Sequence, residues 1–60
     1  MVVALRDLSP KVFKGCRGAV VFVFDSVPPA YMVEFVDSEI ETLDVLTVEF
    51  GDIEKLEQEL

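Results

Sequence analysis

The sequence contains no histidine, no tryptophan and only one cysteine. A single cysteine cannot form an internal disulfide, and an ordinary zinc site is not expected without histidine, so neither a metal nor a cofactor is predicted. No apolar run approaches the roughly 20 residues that a membrane-spanning helix requires. Residues 1–5 meet Arg6 and Asp7 too early to form the apolar segment of a signal peptide. The unpaired Cys16 and the lack of an export signal therefore predict a cytoplasmic protein.

Basic residues are also scarce, and the charge is unevenly distributed. Residues 1–33 have a net charge of +2, whereas residues 34–60 carry ten acidic side chains against one lysine, for a net charge of −9. Nucleic acid binding usually requires several cations on one face. A chain with a net charge of −7 is therefore not expected to bind nucleic acid or an anionic membrane. The cations of the first loop (Lys11, Lys14 and Arg17), without a stacking tryptophan, are interpreted as solvated charges.

The length of 60 residues limits the protein to a single domain, residues 1–60. A chain this short buries roughly 60% of its unfolded surface, and its core typically contributes about 3–5 kcal/mol. A deep, water-excluding cleft is therefore not expected, and paired carboxylates outside such a cleft are poor acid–base catalysts. The sequence also contains no phosphate-binding glycine loop and no nucleophile elbow. We predict that the protein is not an enzyme.

Several β-prone runs are separated by turn-forming residues. Pro10 and Gly15 indicate that residues 7–16 form a loop, and the consecutive prolines Pro28 and Pro29 end the long apolar run before them. The predicted strands cover residues 2–6, 19–24, 31–36 and 42–50. In the last of them, one face carries Leu46, Val48 and Phe50.

The C-terminal segment fits two structures. In the first, the segment is a helix with Asp52 as its N-cap, and one face of this helix carries Ile53, Leu56 and Leu60. In the second, the segment forms a last short strand. We favour a turn near residues 51–54 followed by a short strand or helix. The whole pattern predicts an all-β fold, a small antiparallel SH3-like barrel of four or five strands with a short C-terminal turn or helix, because closure removes exposed strand edges.

Two segments carry a resemblance to a known family. They are residues 14–21, Lys-Gly-Cys-Arg-Gly-Ala-Val-Val, and residues 30–37, Ala-Tyr-Met-Val-Glu-Phe-Val-Asp. Both segments resemble the short bacterial proteins of domain of unknown function family 4926. The resemblance covers nearly the whole chain, from Val2 to Leu56. Its Gly-x-x-Gly-x-Val-Val step recurs in SH3-like barrels of unrelated function, so it supports the fold rather than a function. Some members are encoded beside toxin-like proteins, which implies an antitoxin or immunity role.

The long apolar run contains the candidate binding site. Residues 19–24 are apolar at every position, so whichever alternate set faces the core, the other three face outward. Members of the resembled family tend to carry charged residues where this chain has Phe22 and Met32. We therefore predict that Val20, Phe22, Phe24 and Met32 form an exposed apolar patch that binds another protein or a second copy of this chain. Alternatively, the C-terminal segment covers these side chains.

Two other polar features are not interpreted as binding or catalytic sites. The acidic residues around the third turn are Asp37, Glu39, Glu41 and Asp44. Their spacing is not that of a calcium-binding loop. They are interpreted as a solvated acidic face that could steer a basic partner. Cys16 lies between Lys14 and Arg17, but no histidine or second cysteine can activate or resolve it, and it is interpreted as a plain loop cysteine.

Taken together, these features predict a non-catalytic protein–protein interaction module that acts through an apolar strand face. The alternative is an antitoxin or immunity protein that neutralises a basic toxin, for which the acidic half of the chain supplies complementary charge. A third hypothesis, an RNA- or DNA-associated barrel that acts through its first loop, requires salt-sensitive binding.

Overall fold

The computed structural model describes residues 1–56 and consists of short antiparallel strands. The five strands and one short 3₁₀ turn, in chain order, are β1 (Val2–Ala4), β2 (Arg17–Phe24), β3 (Ala30–Val36), β4 (Thr42–Glu49), the turn Phe50–Asp52 and β5 (Ile53–Lys55). The prediction of an all-β fold is therefore confirmed. Within residues 1–56, no helix is long and apolar enough to cross a membrane.

Local sequence explains where the strands end. The β2–β3 connection contains Pro28, whose peptide bond with Val27 is cis, and the Ser26 hydroxyl donates to the Pro28 carbonyl. In the β3–β4 connection, the Asp37 carboxylate accepts hydrogen bonds from the backbone N–H groups of Glu39 and Glu41, at 2.8 and 3.0 Å. An aspartate that bonds the backbone two residues ahead is a common turn device. Short-range hydrogen bonds between side chains and the backbone therefore close both connections.

The strands form one sheet in the order β4-β3-β2-β1-β5, and every neighbouring pair is antiparallel. β1 and β5, from opposite ends of the chain, pair through Val2 with Lys55 and Ala4 with Ile53. The Leu56 N–H continues this ladder by donating to the Met1 carbonyl at 2.9 Å. The strand interpretation is therefore confirmed for the first part of the C-terminal segment, and residues 57–60 lie outside the described residues.

The core joins strands that are not neighbours in the sheet. Its fully or nearly fully buried apolar side chains come from β1, β3, β4 and the first loop; they are Val2, Ala4, Val12, Val33, Phe35 and Val48. Because β1 and β4 are separated by two other strands and yet share one core, the sheet curls around these side chains. Four of the six are valines, so the enclosed space is narrow.

Gly18 lies where β2 crosses this core. It pairs with Phe35 of β3, and a Cβ atom at this position would lie 2.6 Å from Cγ1 of Val33 and 2.8 Å from the Glu34 carbonyl oxygen. Real Cβ contacts are essentially never this short. A side chain is therefore excluded here by the close approach of β3.

Asp52 fixes the 3₁₀ turn to the start of the first loop. Its carboxylate accepts the N–H of Glu49 at 3.0 Å and pairs with the Arg6 guanidinium, while its carbonyl accepts the N–H of Leu5 at 2.9 Å. Of the two alternatives for this segment, the helix with Asp52 as its N-cap is not formed, because the carboxylate folds back onto the turn, and the favoured turn is present as Phe50–Asp52. One prediction is wrong here. Phe50 does not share the face of Leu46 and Val48, because β4 ends at Glu49 and leaves Phe50 74% exposed.

Candidate protein-interaction surface

The apolar run in β2 is exposed on both faces of the sheet. Every residue from 19 to 23 is exposed, and Phe24 is half-buried. An all-apolar strand normally belongs to a sheet covered on both faces. In this protein the core lies against the first residues of β2, through Gly18, and leaves the rest of the strand open to solvent.

Three of the predicted site residues lie together on the outer face of the sheet. Phe22 pairs directly with Met32, and Phe24 pairs with Ala30, two residues along the same strand. Met32 precedes the buried Val33, so its side chain points away from the core. The rings of Phe22 and Phe24 pack edge to face, with centroids 5.0 Å apart and planes at 68°. We call Phe22, Phe24 and Met32 the outer patch.

Val20, the fourth predicted residue, lies on the other face. It pairs with the buried Val33, and directly opposed residues of an antiparallel pair share a face. The ladder has a β-bulge at Val21, since Val20 pairs with Val33 and Phe22 pairs with Met32. The extra residue reverses the alternation, so that Val20 and Phe22 point to opposite faces although they are two residues apart.

Val20 instead lines a separate apolar groove that sequence reasoning missed. The groove runs between β2 and the 3₁₀ turn, has a volume of about 460 Å³, and is also lined by Tyr31, Phe50 and Ile53. Phe50 reaches this position because it leaves the strand at the turn. The only sequence signal for it is the Gly51-Asp52 pair directly after Phe50, which indicates a chain reversal.

Carboxylates border the outer patch on the same face of the sheet. Glu34 lies two residues from Met32 along β3, and Glu49 pairs with Ala30. The Glu34 carboxylate accepts a hydrogen bond from the Thr42 hydroxyl, which holds it above the sheet. An apolar centre with an acidic border on one side is complementary to an apolar partner surface with basic residues at its rim.

The other predicted polar features lie away from this surface. The carboxylates of Asp37 and Asp44 accept backbone N–H groups of their own turn and strand, and Glu39 and Glu41 are exposed. In the described part of the chain, no three acidic, cysteine or histidine side chains are grouped so as to hold a metal ion. Cys16 is half-buried and packs against the core. Lys11, Lys14 and Arg17 are exposed.

The fold and this surface define a small all-β protein whose central strand presents uncovered apolar side chains. The family described as domain of unknown function (DUF4926) matches residues 1–55, and the chain belongs to this family. The resemblance noted in the sequence is thereby confirmed. No curated protein and no solved structure matches the chain.

Proposed function

We propose that the protein is a non-catalytic, SH3-like interaction module that binds a protein partner through the outer patch of β2 and β3. The observation that carries the proposal is the pairing of Phe22 with Met32 on the face away from the core, with Phe22 56% exposed. Contiguous apolar side chains on the surface of a small protein mark interaction sites, and aromatic side chains dominate the binding energy of such sites.

The SH3-like assignment is supported by the strand arrangement. β1 lies between β5 and the first residues of β2, and a 3₁₀ turn leads from β4 into β5. This arrangement brings both ends of the described chain together and leaves the β2–β3–β4 half of the sheet free to present a binding face.

The test compares Phe22→Glu with Phe13→Glu in capture of partners from the native lysate. Phe13 is also 56% exposed but lies in the first loop, so it is a control matched for residue type and exposure. We expect the wild type and Phe13→Glu to retain the same protein and Phe22→Glu to lose it, because a charge at the centre of an apolar contact is buried without a partner. Urea unfolding of all three proteins must show equal stability. If Phe22→Glu unfolds the domain, Phe22 contributes to the core and the site assignment is wrong.

A second candidate function is an antitoxin or immunity protein that neutralises a basic toxin. It is favoured by the carboxylates Glu34 and Glu49 beside the outer patch and by the net charge of −7. Binding to a basic partner should weaken strongly as salt rises, because exposed charges are screened. A basic, nuclease-like protein recovered in the capture experiment, or encoded directly beside this gene, would favour this candidate. A neutral partner with salt-independent binding would exclude it.

A further inference from the structure

The carboxylate of Glu34 lies beside the outer patch and has apolar residues on both sides. Glu34 projects from the same face of the sheet as Met32, because the two are separated by one residue along β3. The residues that pair with Glu34 are Ala19 of β2 and Val45 of β4, and Val45 is 48% exposed. The Thr42 hydroxyl donates a hydrogen bond to the carboxylate and holds it in place. Glu34 is therefore an oriented charge in an otherwise apolar part of this face.

Positive charge is scarce on this part of the sheet. β2, β3 and β4 together contain one cation, Arg17, at the start of β2. Glu49 is exposed and adds a second carboxylate on the β4 side of the outer patch. Within residues 1–56, the one ion pair joins Arg6 and Asp52, so neither Glu34 nor Glu49 is neutralised by a cation. A ligand that covers the outer patch must therefore supply positive charge at this border, because burying an unpaired carboxylate is costly.

The positions of the rings and the carboxylates favour a helix as the ligand. The rings of Phe22 and Phe24 lie on β2, whereas the carboxylates lie one and two strands to the side, about 5 and 10 Å away. In an extended segment that alternates apolar and basic residues, the basic side chains would point away from the sheet. An amphipathic helix carries an apolar stripe and a charged flank side by side. A helix can therefore contact the rings and the carboxylates at the same time.

We propose that the outer patch binds an amphipathic α-helix of a partner protein, with the apolar stripe of the helix on the patch and its lysine or arginine residues toward Glu34 and Glu49. The inference rests on the proposed function, because it specifies the chemistry of the partner at the same surface. Such helices contact a groove or face through apolar anchors three or four residues apart. The described part of this chain contains no α-helix, and two facing copies would bring carboxylates together, so a second copy does not meet these requirements.

The test titrates the wild-type protein with three synthetic peptides of about 18 residues, or about five helical turns. The first peptide has leucine and lysine at helical spacing, and the second has glutamate in place of each lysine. The third has the composition of the first in strict alternation, which is the pattern of a strand. We expect the first peptide to bind more tightly than the other two by about tenfold or more, and its affinity to fall as salt rises. NMR should show chemical-shift changes at Phe22, Met32 and Glu34.

Variants that remove single charges locate the contact. Glu34→Gln and Glu49→Gln keep a hydrogen-bond acceptor and remove the charge. Each should weaken binding of the leucine–lysine helix by about two- to fivefold, since exposed ion pairs are weak. Glu41→Gln and Glu54→Gln are the matched controls, because they remove the same charge from exposed positions in the β3–β4 connection and in β5. Both controls should bind as the wild type does, and Phe22→Glu should not bind.

Four results would overturn the inference. The first is no binding of the leucine–lysine helix, and the second is equal binding of the leucine–glutamate helix. The third is tighter binding of the alternating peptide, which would indicate a strand as the ligand. The fourth is an equal loss in all four glutamine variants, which would mean attraction to the overall negative charge only. The proposed function would survive each of these if Phe22→Glu still abolished capture of a protein from the lysate, and it would fail separately if Phe22→Glu had no effect on capture.

Discussion

A methyl group added at Gly18 tests how tightly β2 and β3 are packed around the core. The new Cβ would lie 2.6 Å from Cγ1 of Val33, 2.8 Å from the Glu34 carbonyl oxygen and 3.0 Å from Cδ1 of Phe35. Favourable contacts between carbon atoms lie at about 3.5–4.0 Å. Val33 and Phe35 are fully buried, and the Glu34 carbonyl belongs to a backbone flanked by ladders on both sides. None of these three groups can retreat without moving the strand.

The expected cost is large for a domain of this size. Overpacking a well-packed core typically costs about 1–3 kcal/mol, against about 3–5 kcal/mol available to a core in a chain of this length. Gly18→Ala should therefore remove between about a fifth and the whole of the stability. A shift in Tm of about 4–8 °C is expected for each kcal/mol. Urea and thermal unfolding followed by circular dichroism measure both quantities.

Gly51→Ala is the matched control for this substitution. No atom lies within 4 Å of a Cβ built at Gly51, so the same chemical change meets open space. We expect its free energy of unfolding to stay within about 0.5 kcal/mol of the wild type. If Gly18→Ala were equally harmless, with an unchanged dependence on urea, β3 would have room to move away from β2. The narrow core described above would then be wrong.

Two further predictions concern the 3₁₀ turn and the bulge. Asp52→Asn should lower the free energy of unfolding by about 1–3 kcal/mol, because the single amide oxygen of asparagine can accept from the Glu49 N–H or from Arg6 but not from both, whereas the carboxylate bonds both donors. Urea unfolding measures this loss, and an unchanged midpoint would contradict it. Deletion of Val21 removes the extra residue of the bulge without breaking a ladder pair. We therefore expect the cross-strand NOEs between Phe22 and Met32 to persist. Loss of these NOEs would show that the bulge is needed for the register of β2 and β3.

Regular local patterns predicted most of the fold. Continuous β-prone residues identified β2, β3 and β4 to within a few residues, because short strands bounded by proline, glycine and aspartate are locally encoded. The exposure of the apolar run was also predictable, since a small chain cannot cover both faces of a central strand. The choice between strand and helix after Asp52 could not be predicted, because β5 forms only by pairing with β1, at the other end of the chain.

The composition of the candidate site was less predictable, for a physical reason. Strict alternation along β2 would put Val20, Phe22 and Phe24 on one face of the sheet. The bulge at Val21 instead places Val20 on the face opposite to Phe22 and Phe24. A bulge depends on which residues of the neighbouring strand lie opposite, and the sequence of β2 alone does not contain that register. Phe50 was missed for a similar reason, since the position at which β4 ends is set by the bonds of the Asp52 carboxylate.

The first loop shows that size and hydrophobicity did not decide which side chains are inside. Val12 is fully buried, whereas its larger neighbour Phe13 is more than half exposed. The Ser9 hydroxyl accepts the N–H groups of Lys11 and Val12, both at 3.1 Å, and this turn points Val12 at the core. Backbone geometry therefore overrides the larger transfer energy that burial of a phenylalanine would provide.

The distribution of aromatic side chains separates the stability of this domain from its association. Within residues 1–56, Phe35 is the one aromatic side chain that is fully buried, because a core built mainly from valines leaves no room for a second ring. The rings of β2 consequently contribute little to folding, and their apolar surface remains available to a partner. Substitutions at Gly18 or Phe35 should lower stability before they change association. Substitutions at Phe22 should change association while stability stays constant, and this opposite behaviour is what a dedicated binding face requires.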